Sequence, residues 1–96
     1  MILAYKDLEF SQTINPIGVQ SKVQFGGYML SIVKNEVSYG GLKGLYEIAV
    51  YKGDFQEELP GITRENDTVK GFLTSVDVDA IIKKMYLVTG TEGKQI

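Results

Sequence analysis

The sequence predicts an α+β domain: a small antiparallel β-sheet of four to five strands with one C-terminal helix packed on one face. Two segments with alternating apolar residues, 22–34 and 45–52, indicate strands. A later apolar stripe at helical spacing indicates the helix. The length of 96 residues suits one domain, which we place at residues 1–90, followed by a flexible C-terminal tail at 91–96.

The N-terminal half has the pattern of strands separated by turns. Residues 2–10 weakly favour a strand, and Asn15-Pro16 predicts a turn after it. Gly26-Gly27 interrupts the alternation within segment 22–34, which predicts a bulge, a bend or a close backbone approach in that strand. We expect this segment to pair antiparallel with segment 45–52.

The connection between these two strands, residues 35–44, is too long for a tight hairpin turn. We call it the flap. It carries three glycines together with Tyr39 and Lys43. The chain then continues as a turn, a short strand and a polar loop, at residues 52–54, 55–59 and 62–68.

Residues 69–73 lead into the only clear helix, which has matching signals at its two ends. Thr74 suits the N-cap, and Asp77 completes a short form of the capping box. Gly90 can end the helix through a left-handed backbone conformation. The buried face is expected to consist of Val78, Ile81, Ile82, Met85 and Tyr86.

The composition contains no cysteine and no histidine, which excludes several kinds of chemistry. Without cysteine there is no disulfide, thiol nucleophile, cysteine-type zinc site or iron–sulfur cluster. Without histidine the usual general base near neutral pH and the commonest metal ligand are missing. We therefore expect no catalytic residue, no metal and no cofactor. An enzyme would have to use tyrosine, lysine, carboxylates or a bound metal.

The charge pattern disfavours a nucleic-acid or membrane partner. Ten basic and twelve acidic residues give a net charge of −2, and Arg64 is the only arginine among scattered lysines. A DNA-binding protein usually has a basic face with several arginines. No apolar segment approaches the length of a membrane span, and charge occurs too early for a signal peptide. We expect a soluble intracellular protein.

The flap could contact a ligand. Tyr39 is able to stack on a base while the backbone of Gly40 and Gly41 approaches a phosphate and Lys43 neutralises it. The segment is not a P-loop, because a strand rather than a helix follows it and no Ser or Thr comes after Lys43. The alternative is a hairpin connection without a ligand.

Arg64 is the second candidate for recognition, since arginine binds anions through a planar bidentate fork. Thr68 and Lys70 follow it and complete the set of candidate ligand residues. The alternative is that a single arginine in a lysine-rich chain has no special role. Residues 64–67 are then a solvated loop or a weak metal site that lacks the spacing of a calcium loop.

Three segments have a distinctive pattern: FGGYMLSIV at 25–33, SYGG at 38–41 and GLYEIAV at 44–50. They resemble a group of small, uncharacterised bacteriophage and prophage accessory proteins, whose pattern is F-x-x-G-Y-x-x-S-V-V, S-Y-G and G-L-[YF]-E-x-A-V-L. Segments 59–63 and 67–74, and the helix after them up to Met85, resemble the D-T-P-I-T-D-D-V-x-G-x-L-T segment and helix of that group. The resemblance implies an accessory gene of a phage or prophage, expressed in the bacterial cytoplasm.

Small phage proteins of this kind often block host defence. We therefore expect a non-catalytic antagonist of anti-phage defence that binds and sequesters a small nucleotide signalling molecule. The alternative is a protein–protein inhibitor that grips a host defence enzyme with its open sheet face, and a virion accessory protein is a third possibility. A homo-oligomer is also expected, because one helix cannot cover both faces of the sheet.

Overall fold

The computed structural model describes residues 2–96, and it confirms the α+β class. Within these residues one antiparallel sheet packs against a single α-helix. Two of the seven strands are only two residues long, and short 3-10 turns lie at Tyr5–Asp7 and Gly41–Lys43. The elements in chain order are β1 (Ser11–Ile14), β2 (Ile17–Phe25), β3 (Tyr28–Asn35), β4 (Tyr46–Lys52), β5 (Phe55–Gln56), β6 (Val69–Leu73), α1 (Ser75–Thr89) and β7 (Lys94–Gln95).

The central strand β3 pairs antiparallel with β2 on one side and β4 on the other. Strand β2 also carries β1 and β7, which pair with different parts of it. Strand β4 likewise carries β5 near its end and β6 along its first half. The expected pairing of segments 22–34 and 45–52 is therefore confirmed for β3 and β4.

The prediction of one interrupted strand over residues 22–34 was wrong. Gly26-Gly27 forms a two-residue hairpin turn between β2 and β3, and the ladder closes on the pair Phe25 and Tyr28. Gly26 has φ +60, a left-handed conformation that glycine adopts without steric cost. Hence the two glycines reverse the chain instead of bending one strand.

Residues 2–10 are also not a strand. Tyr5–Asp7 form a 3-10 turn, in which the Asp7 carboxylate accepts a hydrogen bond from the Ala4 amide at 3.0 Å. Strand β1 begins only at Ser11, and the predicted turn at Asn15-Pro16 connects it to β2. Charged residues interrupt the apolar alternation of this segment, so its apolar side chains reach the core from a loop: Leu3, Tyr5, Leu8 and Phe10.

Helix α1 begins and ends where the sequence predicts. The Asp77 amide donates to Thr74 Oγ1 at 3.1 Å and the Thr74 amide donates to Asp77 Oδ2 at 2.9 Å, which completes the capping box. Gly90 ends the helix with φ +68. The buried face contains Val78, Ile81, Ile82 and Met85, with Tyr86 packed at its border.

The core lies between α1 and one face of the sheet. Alternate residues of the three long strands supply it, and the loop predicted to be polar adds Ile62, which is 0% exposed. This side chain anchors the loop before β6 to the body of the protein. The fully buried strand residues are Val23, Phe25, Leu30, Ile32, Ile48 and Val50.

The opposite face of the sheet, which we call the outer face, lies away from α1. The register places Met29 opposite Gln24 and Tyr51, and Val33 opposite Glu47. All five residues are partly exposed. The outer face is therefore a mixed surface of apolar and polar side chains.

The segment predicted to be a flexible tail contains β7. The Ile96 amide donates to Lys22 O at 3.0 Å, and Gln95 Nε2 donates to the buried Ser21 Oγ at 2.8 Å. These hydrogen bonds join the C-terminal residues to β2. Among residues 2–96, no helix has the length and hydropathy needed to cross a membrane.

Candidate functional site

The flap is folded against β6 through its backbone. The Tyr39 amide donates to Glu47 Oε2 at 3.0 Å, and Tyr39 O accepts from the Phe72 amide at 3.0 Å. At the start of the flap, Asn35 Oδ1 accepts from the amides of Val37 and Ser38 at 2.9 and 2.7 Å. These contacts hold Tyr39 in one place beside β6.

Gly71 makes this close approach possible. A Cβ added to Gly71 would lie 2.3 Å from the Cβ of Tyr39, a distance that two real side chains cannot share. The absence of a side chain at residue 71 therefore lets the flap lie directly on β6.

Phe72 has an unusual backbone and an unusual exposure. Its φ is +57, a conformation that is rare and strained for a bulky side chain. The ring is 57% exposed, and Lys43 Nζ lies 5.9 Å from its centroid. A strained, exposed aromatic is typical of functional sites, where the surrounding structure maintains it.

Arg64 is positioned by the loop before β6. Its amide donates to Val69 O at 3.0 Å and its carbonyl accepts from the Asp67 amide at 2.9 Å. Thr63, next to it, is buried, and its hydroxyl accepts from the Leu59 amide at 3.0 Å. The backbone of Arg64 is thus anchored, while its side chain is exposed and makes no ion pair with a described carboxylate.

These elements enclose a cavity of about 510 Å³ between the flap and β6, which we call the flap cavity. Two cations and two aromatic rings face the same space, together with one carboxylate. Cations can neutralise a phosphate or carboxylate, and exposed rings can stack on a planar group. The lining side chains are Tyr39, Arg64, Asp67, Val69, Lys70 and Phe72, with the backbone of Gly71 between the last two.

Three of the candidate residues from the sequence meet in this cavity: Tyr39, Arg64 and Lys70. Gly40 and Lys43 line a smaller cavity of about 290 Å³ that shares Tyr39 and Phe72 with the first.

The other two candidates lie elsewhere. Thr68 lines neither cavity, because its hydroxyl donates to Gln56 Oε1 at 2.6 Å. Gly41 lines neither cavity; it packs on Asn35, whose carbonyl oxygen would be 1.7 Å from an added Cβ.

Of the two flap glycines expected to approach a phosphate, Gly41 uses its amide within the flap. The Gly41 amide donates to Ser38 O, the Leu45 amide to Gly40 O and the Gly44 amide to Gly41 O, each at 3.0 Å. These donors close the turns of the flap and do not point to a ligand. The positively charged groups that line the flap cavity are the side chains of Arg64 and Lys70.

The sequence reasoning missed Asp67, Gly71 and Phe72. The isolated glycine in a strand pattern was a usable signal for Gly71, since such a glycine often marks a close backbone approach. Phe72 had no such signal, because bulky residues rarely adopt positive φ and nothing in the local sequence predicts it.

No protein-family model, curated protein or solved structure matches this chain. Among residues 2–96, no group of three or more aspartate or glutamate side chains is placed to hold a metal ion. The chemistry of the flap cavity is therefore the main guide to function.

Proposed function

We propose that the protein binds a small nucleotide in the flap cavity and sequesters it without transforming it. The observation that carries this proposal is the convergence of Tyr39, Arg64 and Lys70 with Phe72 around one cavity. These residues come from the flap, a loop and a strand, and together they offer both an anion site and a stacking surface.

The two halves of a nucleotide match these two kinds of group. The Arg64 guanidinium can bind a phosphate in bidentate fashion, and Lys70 adds a second positive charge. The rings of Tyr39 and Phe72, 58% and 57% exposed, can contact a base. The volume of about 510 Å³ lies within the roughly 300–1,000 Å³ range of small-molecule sites.

Asp67 provides a further polar contact. Its Oδ1 already accepts a hydrogen bond from the Thr68 amide at 2.7 Å, which orients the carboxylate. An oriented carboxylate can accept a hydrogen bond from a sugar hydroxyl or a base amino group. The planar guanidinium fork of Arg64 is suited to holding an anion through two parallel hydrogen bonds.

The biological setting of the proposal is a phage or prophage protein that works in the cytoplasm of a bacterial host. Support for it comes from the resemblance of segments 25–33, 38–41 and 44–50 to small phage accessory proteins. In that setting, sequestration of a nucleotide signal would antagonise an anti-phage defence that depends on the signal.

Isothermal titration calorimetry against mononucleotides, cyclic nucleotides and ADP-ribose derivatives tests the proposal. We expect binding that Arg64→Ala and Tyr39→Ala each weaken by about tenfold, through loss of a charged hydrogen bond and of base stacking. Tyr39→Phe keeps the ring, and Lys22→Ala removes an exposed lysine outside the cavity; both should bind like the wild type.

The fate of the nucleotide separates sequestration from catalysis. After binding, heat denaturation of the protein should release the nucleotide chemically intact, as measured by mass spectrometry. A converted nucleotide would contradict the non-catalytic part of the proposal. No binding of any nucleotide in the panel would overturn the proposal as a whole.

A second candidate function is inhibition of a host defence enzyme through the outer face. The observation that favours it is the position of Met29, Val33 and Tyr51, which are partly exposed on the face away from α1. It predicts stoichiometric co-purification of one host protein, lost in Tyr51→Asp while the circular dichroism spectrum stays unchanged. Native mass spectrometry would at the same time report the proposed homo-oligomer.

A further inference from the structure

We infer that the preferred ligand is a dinucleotide, with two nucleoside units joined through phosphate and lying on both sides of Lys70 and Phe72. This inference rests on the proposed function and adds to it the size and the charge of the nucleotide ligand. It follows from a second cavity that continues the flap cavity.

The second cavity is a groove between β6 and α1, with a volume of about 630 Å³. Lys70, Gly71 and Phe72 line both the groove and the flap cavity, so the two spaces adjoin along β6. Each space alone is within the size range of a small-molecule site. A single nucleoside unit in the flap cavity would leave the groove empty.

The groove has its own positive charge. Lys70 and Lys84 are exposed, and neither makes an ion pair with a carboxylate of residues 2–96. Lys83 differs, because its Nζ lies 2.8 Å from Asp79 Oδ2. Lys70, which both cavities share, interacts with the Asp77 carboxylate electrostatically but without an ion pair, and Lys84 adds a positive charge in the groove alone.

Among residues 2–96, Asp77 is the only residue with a carboxylate side chain that lines the groove, and it forms part of the cap of α1. Asp77 Oδ2 accepts from the Thr74 amide, and this hydrogen bond, together with that of the Thr74 hydroxyl, holds the pKa of Asp77 below its usual value. Asp77 thus belongs to the cap at the start of α1, and Lys84 lies about two helical turns farther along the same groove.

The groove also offers apolar surface for a second base. Leu87 is exposed at one end of it, and the Phe72 ring stands between the groove and the flap cavity. A linking phosphate near Lys70 would place one base against Tyr39 and Phe72 and the other towards Leu87 and Lys84. Charge complementarity and continuity with the flap cavity both favour such an occupant.

The test compares each ribonucleoside monophosphate with the corresponding phosphorylated homodinucleotide by calorimetry. We expect the dinucleotide of the preferred base to bind about tenfold more tightly than its monophosphate. Lys84→Ala should weaken dinucleotide binding about fivefold and leave monophosphate binding within about twofold, since Lys84 lines only the groove. Lys22→Ala, with the same loss of charge outside both cavities, should change neither.

Different results would overturn the dinucleotide inference and the proposed function. Equal affinities for the two ligands, or a Lys84→Ala variant that binds the dinucleotide like the wild type, would overturn the dinucleotide inference and leave the proposed function intact. Absence of both binding reactions would overturn the proposed function itself. If a longer oligonucleotide binds another tenfold more tightly than the dinucleotide, the preferred ligand is single-stranded nucleic acid. That result would also overturn the inference.

Discussion

Gly71 lies directly against Tyr39: a Cβ at residue 71 would be 2.3 Å from the Tyr39 Cβ and 2.9 Å from its carbonyl oxygen. The same carbonyl accepts a hydrogen bond from the Phe72 amide. One glycine therefore determines where the flap rests, and with it the position of the ring that faces Arg64 and Lys70 across the flap cavity.

Gly71→Ala should separate the flap from β6. We expect the free energy of unfolding to fall by about 1–3 kcal/mol, as in other overpacked sites, because the obstructing atoms are a Cβ and backbone. Urea denaturation followed by circular dichroism measures the change. In Gly27→Ala, the added Cβ meets nothing within 4 Å, so this control should stay within about 0.5 kcal/mol of the wild type. Equal losses in both variants would contradict the close packing of the flap.

Phe72→Gly should cost less stability than glycine costs at a strand position without positive φ, and it should weaken nucleotide binding. Glycine adopts positive φ without the strain that a bulky residue carries, which is worth about 1 kcal/mol here. The same change removes an aromatic wall of both cavities. Urea denaturation and calorimetry measure the two effects.

Phe55→Gly is the matched control for the effects of Phe72→Gly on stability and on nucleotide binding. Phe55 is also exposed, but its φ is not positive, and it lines neither cavity. The control should be less stable than the wild type, since glycine weakens a strand, and should bind normally. A Phe72→Gly variant that is destabilised to the same degree would show that residue 72 carries no strain.

Asp79 should make stability depend on acid pH. Its carboxylate pairs with Lys83 Nζ at 2.8 Å and accepts from the Tyr5 amide at 2.8 Å. These interactions, Lys83 first, hold the pKa of Asp79 below its usual value of 3.8. Because the pKa is lower in the folded state, the stabilisation is complete above that value and is lost as pH falls through the folded-state pKa.

The pH dependence of Asp79→Asn tests this linkage. The variant should have a lower urea midpoint than the wild type at neutral pH, and the two midpoints should converge as the pH falls below the usual aspartate pKa of 3.8. Asp54→Asn, in the exposed turn before β5, should match the wild type throughout. A constant difference between Asp79→Asn and the wild type at all pH values would argue against the carboxylate as the source.

Gln95→Ala should destabilise the protein although it lies at the second residue from the C-terminus. Its Nε2 donates to the Ser21 hydroxyl, which is 2% exposed, and to Lys22 O. Loss of the first bond leaves the buried Ser21 hydroxyl without a partner, whereas Lys22 O keeps the Ile96 amide, so we expect a decrease of about 1–2 kcal/mol in the free energy of unfolding. Gln12→Ala, exposed on β1, should have almost no effect. A neutral Gln95→Ala would favour a frayed C-terminal segment.

The elements that local sequence predicts well are those with strong periodicity and caps. Helix α1 follows from the stripe between Val78 and Met85 and from the Thr74–Asp77 box, because both depend on residues within a few positions of each other. Strand β4 follows from alternation alone. In contrast, Gly26-Gly27 forms a hairpin turn because β2 pairs with β3. The alternation of apolar residues along one segment does not show whether the segment is one strand or two paired strands.

The candidate site divides in the same way. Residue type alone singles out Arg64 and Tyr39, since the only arginine and a tyrosine among glycines have recognisable chemistry. Residue type also suggests Thr68 as a ligand residue, but its hydroxyl donates a hydrogen bond to Gln56. Gln56 is twelve residues away in the chain, on strand β5, which pairs with β4. Hydrogen-bond partners of this kind are decided by tertiary contacts.

By itself, the sequence determined the α+β class, helix α1 and the pool of groups able to bind an anion, because these depend on periodicity, capping and side-chain chemistry. Only the tertiary structure decided which of these anion-binding groups line the same cavity. The flap reaches β6 because Gly71 has no side chain, and Phe72 faces the cavities because its backbone is held at positive φ. Both are consequences of packing between segments distant in the chain, and packing is a property of the folded molecule.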